Sequence, residues 1–345
     1  VITSLMGRGA IDETYDNYIG MIGSYGNRCA NMGVANADLL IALGTRLDTR
    51  QTGARLDQFL SNGHIIHVDI DDNELEYHRL LNRKKVNCTI DCFLQKEKEI
   101  PVSLGDISEW NFFLHGLKQR YGQDEEIERF VENKSPYRFM QYFDSLTQTD
   151  DVICADIGQN QMWAAQTLRL KSGQKFVTSG GLAPMGFSLP VAIGCSFANP
   201  NKKVFSINGD GGFHMAIQSL MLISQYNLPI KVMVLNNASL GMITQFQHLY
   251  FGDRMCGTTF DGGYRVPDIE SLSTAYGLPY FRLTVNRLDD PDLREEIRAA
   301  HNCIIECVVE GLTSVSPKLE YDKPISKPLP LLSEEEYKEN MLSEA

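Results

Sequence analysis

The chain has 345 residues, of which 43% are hydrophobic and 22% are charged, as in ordinary globular proteins. Its formal net charge is −12, and a surface this acidic repels the phosphate backbone of nucleic acids. The sequence has no run of about 18 apolar residues, the length that a membrane-spanning helix needs. The first residues lack the basic and apolar blocks of a signal peptide. We therefore expect a cytoplasmic protein, and its length favours two domains.

The eight cysteines are scattered along the chain, and none of them forms a C-x-x-C pair. Cys154, Cys303 and Cys307 fall in apolar runs that are typical of buried strands. We expect reduced thiols packed in the interior, as in cytoplasmic proteins, because a zinc site would need tighter clustering with histidines.

Short apolar runs alternate with segments of helical periodicity along most of the chain. Strands are predicted at 38–43, 64–70, 86–90, 151–155, 175–178, 203–207, 230–235 and 303–309. Helices are predicted at 73–81, 136–146, 213–226 and 291–300. Because the strands are apolar on both faces and alternate with helices, the pattern predicts an α/β fold with parallel sheets.

The alternation breaks near residue 100, where we place a boundary between two domains. The resulting division is a first domain over 1–100, a linker over 101–134, a second domain over 135–312 and a C-terminal tail over 313–345. Each of the two domains is long enough to bury a core of its own.

The linker and the tail have sequence patterns of their own. Residues 110–121 predict an amphipathic helix, and the charged run 124–132 is typical of a solvated face. Ser135 and Pro136 are expected at the N-cap and in the first turn of a new helix. The proline-rich tail is predicted to run extended over a surface and to end in a short acidic helix at 334–341.

Polar residues follow two strands of the predicted second domain. Asp210 lies in a glycine turn after strand 203–207, and Asn237 follows strand 230–235. Neighbouring parallel strands end at the same edge of a sheet, and the glycines there let backbone N–H groups approach a phosphate. A bare carboxylate would repel that phosphate unless a cation lay between them. The pattern therefore predicts Mg²⁺ holding a diphosphate through carboxylate and amide oxygens, and the alternative is two ordinary loops.

These residues resemble the binding motif of thiamine-diphosphate enzymes, in which an aspartate, an asparagine and a backbone carbonyl hold the metal. The resemblance implies metal ligation by Asp210, Asn237 and the carbonyl of Ser239. The glycines implied to contact the cofactor are Gly209, Gly211 and Gly212. The resemblance also implies two doubly wound parallel-sheet domains, an incomplete Rossmann-like middle domain and a thiamine-diphosphate-binding domain.

Within this class, the segment DIGQNQMW at 156–163 resembles the Gly-Gln-His-Gln-Met-Trp segment of acetohydroxyacid (acetolactate) synthases. That segment approaches the diphosphate in the synthases. The resemblance implies cofactor contacts from Gly158, Gln159 and Asn160, of which Asn160 replaces the histidine of the family.

The segment SGGLAPMG at 179–186 resembles the synthases' Ser-Gly-Gly-Leu-Gly-Thr-Met-Gly. The resemblance implies that Met185 packs between the two cofactor rings and enforces their V shape, a role that suits a flexible apolar side chain. It also implies that the backbone carbonyl of Ala183 accepts a hydrogen bond from the aminopyrimidine. A plain core residue is the alternative interpretation of Met185.

The segment LGMITQFQ at 240–247 resembles the synthases' Leu-Gly-Met-Val-x-Gln-Trp-Gln. The resemblance implies cofactor contacts from Gly241 and Met242. It places Phe246 where the synthases have a tryptophan that shapes the pocket for the second substrate. Because Phe246 lacks the indole, we expect an altered acceptor pocket, with a core aromatic as the alternative interpretation.

The N-terminal part resembles the middle domain of the synthases, which binds FAD. Matching segments include GTRLDTRQTG at 44–53 and HVDID at 67–71. The resemblance implies FAD contacts from Arg46, Arg50 and Asp69. Related enzymes bind ADP or no nucleotide in this domain, and both arginines could instead belong to a salt-bridged scaffold.

The resemblance covers about residues 1–312 and stops at the tail. It implies Mg²⁺- and thiamine-diphosphate-dependent decarboxylation of pyruvate, a 2-ketoacid, with carboligation to a second carbonyl acceptor, as in branched-chain amino acid biosynthesis. A pyruvate decarboxylase or oxidase, acyl transfer to a nucleotide-linked keto sugar, and a non-catalytic nucleotide-binding or scaffolding role are the alternatives.

The catalytic glutamate of this family lies on a pyrimidine-binding domain that precedes the middle domain and comes from the partner subunit. No position in this sequence matches that glutamate, so we expect the chain to lack the domain and to be inactive alone. The resemblance implies a homodimer or tetramer in which the domain completes the site, and it leaves a regulatory subunit open.

Overall fold

The computed structural model of the chain describes residues 1–80, 83–99 and 105–342. These residues form two compact units. Unit 1 consists of Val1–Gly7, Tyr15–Phe130 and Ser316–Ala345. Unit 2 consists of Arg8–Thr14 and Val131–Val315. Residue 81, at the end of one predicted helix, and 101–104, at the start of the predicted linker, lie outside the described residues.

The described residues of unit 1 include five short strands. They are β1 (Ile2–Thr3), β2 (Gly20–Met21), β3 (Leu39–Leu43), β4 (His64–Asp69) and β5 (Arg83–Asn87). The first six helices are α1 (Arg28–Ala35), α2 (Thr49–Thr52), α3 (Asp72–Glu76), α4 (Ile90–Glu99), α5 (Ser108–Tyr121) and α6 (Gln123–Phe130), with a 3₁₀ helix at Leu56–Gln58. Strands β3, β4 and β5 pair in that order as a parallel sheet, and β1 pairs with β2, also in parallel.

Unit 2 is built on a larger sheet. Its strands are β6 (Val152–Ala155), β7 (Lys175–Val177), β8 (Val204–Gly209), β9 (Ile230–Asn236), β10 (Tyr280–Leu283) and β11 (Cys303–Val308). Its helices are α7 (Ser135–Leu146), α8 (Gln159–Thr167), α9 (Ser188–Ala198), α10 (Asp210–Met215), α11 (Leu220–Gln225), α12 (Gly241–Tyr250), α13 (Ile269–Ala275) and α14 (Pro291–Ala299). Two 3₁₀ helices lie at Ile217–Ser219 and Val285–Arg287, and α15 (Glu334–Glu339) belongs to unit 1.

The six strands of unit 2 are all parallel and lie in the order β7-β6-β8-β9-β11-β10. Strand β6 is followed in the chain by β7 on one side, whereas β8 lies on its other side, so the order of the strands reverses between β6 and β8. Such a switch point leaves a crevice at the carboxyl ends of the strands, where ligands bind in open α/β sheets. The predicted α/β fold with parallel sheets is confirmed.

Strands β8 and β9 are buried on both faces, which explains why the sequence marks them as continuous apolar runs. Both are covered by a core that includes Leu189, Phe213 and Leu220 from the helices of unit 2. The elements that carry the polar strand ends are thus held in a buried interior.

Several predicted elements differ from the structure. The strand predicted at 86–90 begins at Arg83, and Ile90 starts helix α4. Strand β5 lies at the sheet edge with Lys84 and Lys85 exposed, so its side chains do not form an apolar run. The continuous helix predicted at 213–226 begins at Asp210 and is interrupted by a 3₁₀ turn.

The linker also differs from its prediction. The charged run 124–132 was expected to be solvated, yet Glu126 is buried and forms an ion pair with Arg28 at 2.8 Å. Ser135, expected to be an N-cap, is the first residue of α7, and the cap position is Lys134. A buried carboxylate amid exposed acids is recognised only through its partner, which lies far away in the sequence.

The tail folds back on itself instead of running extended throughout. Lys318 and Leu329 form an antiparallel bridge through two backbone hydrogen bonds of 3.0 and 2.7 Å. The acidic helix predicted at 334–341 is present as α15, with Ser333 as its N-cap. From Ser316 onward, the described part of the tail therefore belongs to unit 1.

Candidate cofactor and metal site

A cleft in unit 2 opens at the carboxyl ends of strands β6, β8 and β9, next to the switch point of the sheet. Its lining is Ile157, Gly158, Gln159, Asn160, Trp163, Met185, Gly209, Asp210, Gly211, Gly212, Leu235, Asn237, Ser239, Leu240, Gly241, Met242 and Ile243. The structure thus brings together the cofactor- and metal-binding residues predicted from the second domain, apart from Ala183, which does not line the cleft.

Asp210 is the first residue after strand β8 and the first residue of helix α10. Its Oδ1 accepts hydrogen bonds from the backbone N–H of Gly211 at 2.6 Å and from the hydroxyl of Tyr264 at 3.0 Å, and its Oδ2 accepts one from the N–H of Ser239 at 3.3 Å. Burial raises the pKa of Asp210 to about 6. A buried carboxylate without a cationic partner gains stability when a cation binds beside it.

Asn237 and Ser239 lie in the turn that follows strand β9. The N–H of Ser239 donates hydrogen bonds to Asp210 Oδ2 and to Asn237 Oδ1, both at 3.3 Å, so these two oxygens lie on one side of the turn. Between them in the chain, Ala238 adopts a positive φ of 49°, a backbone conformation that residues other than glycine rarely take. Strain of this kind is often retained at functional sites.

The glycines of the cleft are packed so closely that a side chain at these positions would clash with neighbouring atoms. A Cβ at Gly211 would lie 2.7 Å from Leu240 Cδ2 and 2.9 Å from Met185 Cε. A Cβ at Gly212 would lie 2.2 Å from Asp156 Oδ2. The residues present therefore fit a diphosphate and Mg²⁺: the donor set of carboxylate, amide and carbonyl oxygens suits Mg²⁺, and glycine backbone can approach phosphate.

The amino ends of two helices also border the cleft. Helix α8 follows Gly158, which has a φ of 134°, and helix α12 begins at Gly241. A Cβ at Gly241 would lie 2.0 Å from Gln159 Oε1, so a larger residue at this position would displace the side chain of Gln159. Unpaired N–H groups at helix amino ends favour phosphate.

Asp156 lies beneath the cleft and was not predicted as a site residue. It directly follows strand β6, is fully buried, and accepts hydrogen bonds from the N–H groups of Ile157 at 2.7 Å, Gly186 at 3.0 Å and Phe187 at 3.1 Å. Burial raises the pKa of Asp156, and these N–H groups oppose the shift. The carboxylate thus ties the end of β6 to the turn that carries Met185.

Met185 reaches the cleft from that turn. Its Cε lies against Gly211, and Gly186, the next residue, has a positive φ of 85°. Ala183, whose carbonyl the resemblance places near the cofactor, also has a positive φ, of 49°. The turn therefore has an unusual backbone path that presents the methionine to the glycine-lined floor.

The polar residues of helix α8 are oriented by bonds within the unit. Gln159 Nε2 donates to Gln245 Oε1 at 3.1 Å, and Asn160 Nδ2 donates to the carbonyl of Asp156 at 2.9 Å. A Cβ at Gly209 would lie 3.3 Å from Asn160 Oδ1, so the amide oxygen of Asn160 faces the end of β8. Asn160, which stands where the synthases have histidine, thus contacts the ends of both β6 and β8.

Phe246, predicted to shape the acceptor pocket, lies on helix α12 and is 41% exposed. Its ring lies 5.5 Å from the ring of Tyr250 on the same helix. Phe246 is therefore not a residue of the unit core, and the alternative of a core aromatic is wrong.

The residues predicted to contact a nucleotide lie in unit 1. Arg46 follows strand β3 and forms an exposed ion pair with Asp48 at 3.4 Å, and Asp69 ends the adjacent strand β4 and accepts from the N–H of Asp71 at 2.9 Å. Arg50 lies in helix α2, and its carbonyl accepts from the N–H of Ser24 at 2.7 Å. Arg46 and Asp69 thus lie near the carboxyl ends of neighbouring parallel strands.

The prediction that the cysteines are packed in the interior is only partly right. All eight cysteines are free thiols, with Cys256 exposed and Cys88, Cys92 and Cys195 partly exposed. Over the described ranges, no three His, Cys, Asp or Glu side chains converge on a metal site. The candidate magnesium site draws instead on one acid together with amide and carbonyl oxygens.

Two family models match the chain. The C-terminal TPP binding domain of thiamine pyrophosphate enzymes matches residues 156–310, and the central domain of the same enzymes matches residues 1–91. The first match contains the whole cleft described above. The chain belongs to the thiamine pyrophosphate enzymes.

Within this class the chain is similar to acetolactate synthase large subunits. It is 34% identical over 316 residues to the large subunit of Porphyra purpurea, which covers 90% of this chain and 52% of that protein. It is 34% identical over 317 residues to a probable large subunit of Methanococcus aeolicus, covering 88% and 51%. It is 36% identical over 308 residues to acetolactate synthase 2 of Brassica napus, covering 86% and 47%. The chain spans about half the length of these relatives.

None of the helices in the described part of the chain combines the length and apolar character needed to cross a lipid bilayer.

Proposed function

We propose that the protein uses thiamine diphosphate held by Mg²⁺ to decarboxylate pyruvate and to join the remaining two-carbon unit to a second carbonyl compound. The observation that carries this proposal is the convergence of Asp210, Asn237 and Ser239 beside Met185 in one glycine-lined cleft. The relatives named acetolactate synthase support the choice of substrate class. The activity is proposed for the complete protein.

The residues of the chain divide the work by their positions. Asp210 supplies the anionic metal ligand, and Asn237 and the carbonyl of Ser239 supply neutral ligands from the adjacent strand end. The glycines at 211, 212 and 241 let backbone N–H groups reach the diphosphate. The metal and the amino ends of the helices together neutralise the negative charge of the diphosphate, which Asp210 alone would repel.

Bound thiamine diphosphate supplies the electron sink on which a 2-ketoacid loses CO₂. The contribution of this chain to that step is positional, since Met185 is presented to the cleft by a turn that Asp156 holds at two N–H groups. The apolar side chain of Met185, beside the glycines that bind the diphosphate, also excludes water from the site. The exclusion of water favours the joining of two carbonyl compounds over the release of an aldehyde.

We propose that the acceptor pocket of this protein differs from that of the synthases. Phe246 occupies the position of their tryptophan and is substantially exposed on helix α12. A smaller aromatic leaves more space for the second substrate, and this observation favours a bulkier acceptor as the second candidate. Acyl transfer to a nucleotide-linked keto sugar would use the same first half-reaction.

The proposal extends to unit 1, where we infer binding of FAD or ADP beside the carboxyl ends of β3 and β4. Asp69 at the end of β4 could accept from a ribose hydroxyl, and Arg46 and Arg50 would pair with phosphates. Visible absorbance of the purified complete protein, followed by extraction of the bound nucleotide, distinguishes flavin from ADP.

We also propose that the complete protein assembles with a partner subunit. By analogy with its family, the protein forms a homodimer in which a pyrimidine-binding domain completes each site, and a glutamate of that domain activates the cofactor. Light scattering of the complete protein tests the oligomeric state, with a monomer in the presence of cofactor contradicting it.

The reaction is tested by adding pyruvate, thiamine diphosphate, Mg²⁺ and FAD to the complete protein and following the products by NMR. Acetolactate would support the synthase activity. If pyruvate alone gives only acetaldehyde or acetate, or is left unchanged, then nucleotide-linked keto sugars are offered as acceptors together with pyruvate. A branched sugar product would then support the second candidate, and its absence would contradict both carboligation proposals.

A further inference from the structure

The segment that follows strand β11 is hydrogen-bonded to the predicted metal ligand Asn237. Thr313 Oγ1 accepts a hydrogen bond from Asn237 Nδ2 at 2.9 Å and donates one to Gln159 Oε1 at 2.7 Å. Thr313 lies at the point where the resemblance to the synthases ends, and it belongs to no recognised motif. We infer that Thr313 is a positioning residue that fixes the amide of Asn237 with its oxygen toward the metal.

The inference rests on the proposed role of Asn237 and begins with the chemistry of an amide. The oxygen and nitrogen of an asparagine side chain have nearly the same shape, but only the oxygen can bind Mg²⁺. An amide turned by half a rotation would present two N–H donors to the cation. Some neighbouring group must therefore distinguish the two orientations of Asn237.

The hydroxyl of Thr313 makes this distinction because it has a single proton. That proton is directed to Gln159 Oε1, so Thr313 Oγ1 faces Asn237 with a lone pair and can only accept. A lone pair there attracts the NH₂ group of Asn237 and repels its oxygen. Asn237 Oδ1 is left on the side of Ser239, whose N–H it accepts at 3.3 Å.

The orientation of Gln159 is fixed in turn, because its hydrogen bonds lead to main-chain groups that can only donate or only accept. Gln159 Nε2 donates to the carbonyl of Thr313 at 3.0 Å and to Gln245 Oε1 at 3.1 Å. Gln245 is held by the backbone of Val315, whose N–H donates to Oε1 at 3.1 Å and whose carbonyl accepts from Nε2 at 3.3 Å. The direction of the chain of bonds is thus set by main-chain atoms and ends at the metal ligand.

The segment is also anchored independently of this chain of bonds. Trp163 Nε1, from a buried indole that lines the cleft, donates to the carbonyl of Ser314 at 3.0 Å. Because the anchor does not involve the hydroxyl of Thr313, replacing that hydroxyl should leave the segment in place and release only the amide of Asn237.

The test compares Thr313→Val, which keeps the shape and removes the hydroxyl, with Thr313→Ser, which keeps the hydroxyl. Isothermal titration calorimetry on the complete protein measures thiamine diphosphate binding over a series of Mg²⁺ concentrations. We expect Thr313→Val to need about tenfold more Mg²⁺ for half-maximal binding, as is typical when a partner of a metal ligand is lost. Thr313→Ser should stay within about twofold of the parent protein. Thr274→Val, an exposed threonine on α13, is the matched control.

The outcomes separate this inference from the proposed function. If the parent protein shows no Mg²⁺-dependent binding of thiamine diphosphate, both the proposed function and this inference are overturned. If the parent binds but Thr313→Val has an unchanged Mg²⁺ requirement, only the inference is overturned. The inference is also overturned if Thr313→Ser is impaired as much as Thr313→Val. It is overturned as well if Thr313→Val weakens binding of thiamine diphosphate as much at saturating Mg²⁺ as at low Mg²⁺. Both results would indicate disrupted packing.

Discussion

The hydroxyl of Tyr264 donates a hydrogen bond of 3.0 Å to Oδ1 of Asp210, the acidic residue of the candidate metal site. The same hydroxyl would lie 3.2 Å from a Cβ at Gly211, so it faces the glycine floor of the cleft. Burial, followed by the negative charge of Asp210, raises the pKa of Tyr264, which therefore remains a donor. A cation that binds at Oδ1 competes with this hydrogen bond.

Replacing Tyr264 by phenylalanine should therefore raise the affinity of the site for Mg²⁺. A net contribution of about 1 kcal/mol for such a hydrogen bond corresponds to an increase of about fivefold. Mg²⁺ titration in the presence of thiamine diphosphate measures it, with the exposed Tyr226→Phe as control. A lower affinity in Tyr264→Phe would show that the hydroxyl supports the metal-bound state instead.

Asp156→Asn tests the link between strand β6 and the turn that carries Met185. An asparagine that keeps its oxygen at the Oδ1 position places its NH₂ group at the Oδ2 position, 3.1 Å from the N–H of Gly186, so two buried donors face each other, at a cost of about 1–3 kcal/mol. We expect lower stability in urea together with weaker binding of thiamine diphosphate. The exposed Asp289→Asn serves as control. A variant that loses stability but binds as the parent does would contradict a role for Asp156 at the site.

The ion pair of Arg28 and Glu126 in unit 1 is almost completely buried, with both side chains 1% exposed. Arg28 also donates to the carbonyl of Pro330 at 2.8 Å, so it connects the tail to α6. Arg28→Met leaves Glu126 buried without a partner and should cost about 3–5 kcal/mol of unfolding free energy.

Adding Glu126→Leu to that variant should recover much of the loss, because the uncompensated charge is then removed. Urea unfolding of the single and double variants makes the comparison, with the exposed Arg79→Met as control. Equal destabilisation in the single and double variants would mean that packing, and not charge, dominates this contact.

Acidification should loosen the docking of helix α15. The guanidinium of Arg129, hydrogen-bonded to Glu336 at 2.6 and 2.7 Å, together with the hydroxyl of Tyr121 at 2.7 Å, lowers the pKa of Glu336 below its usual 4.5. Because the pKa of Glu336 is lowered in the folded state, the stabilisation of α15 by the ionised carboxylate is complete above about pH 4.5. This stabilisation is lost as the pH falls through the folded-state pKa.

Hydrogen exchange of α15, compared with its intrinsic rate at each pH, measures this effect. Protection should fall below about pH 4.5 in the parent protein, whereas Glu336→Gln should show reduced protection already at neutral pH and little further change. Glu335→Gln, the exposed neighbour, should behave as the parent does. Identical profiles for all three proteins would exclude Glu336 as the group responsible.

The central part of the site could be predicted because its residues sit at the ends of buried strands. Asp210 and Asn237 follow β8 and β9, which are marked by apolar runs, and neighbouring parallel strands place their carboxyl ends together. The same reasoning fails for β5 and β10, which lie at sheet edges and have mixed side chains. Both strands carry charged side chains, such as Lys84 and Arg282, which interrupt the apolar run that marks a buried strand.

The supporting residues could not be predicted, because their partners are set by tertiary structure. Asp156 lies within a recognised segment, yet its role depends on N–H groups of a turn some 30 residues away. Tyr264 and Thr313 lie in irregular segments without a motif, and each contacts a predicted ligand through a single hydroxyl. Glu126 lies among other acids, so only its contact with Arg28 shows that it is buried.

We propose above that Asp210, Asn237 and the carbonyl of Ser239 hold a divalent metal together with thiamine diphosphate. Crystals of the complete protein grown with Mn²⁺ and thiamine diphosphate test it through the anomalous signal of the metal. We predict one peak about 2.0–2.4 Å from Asp210 Oδ, Asn237 Oδ1 and the Ser239 carbonyl oxygen, and its loss in Asp210→Ala. A metal bound elsewhere, or cofactor bound with no metal at these three oxygens, would contradict the account.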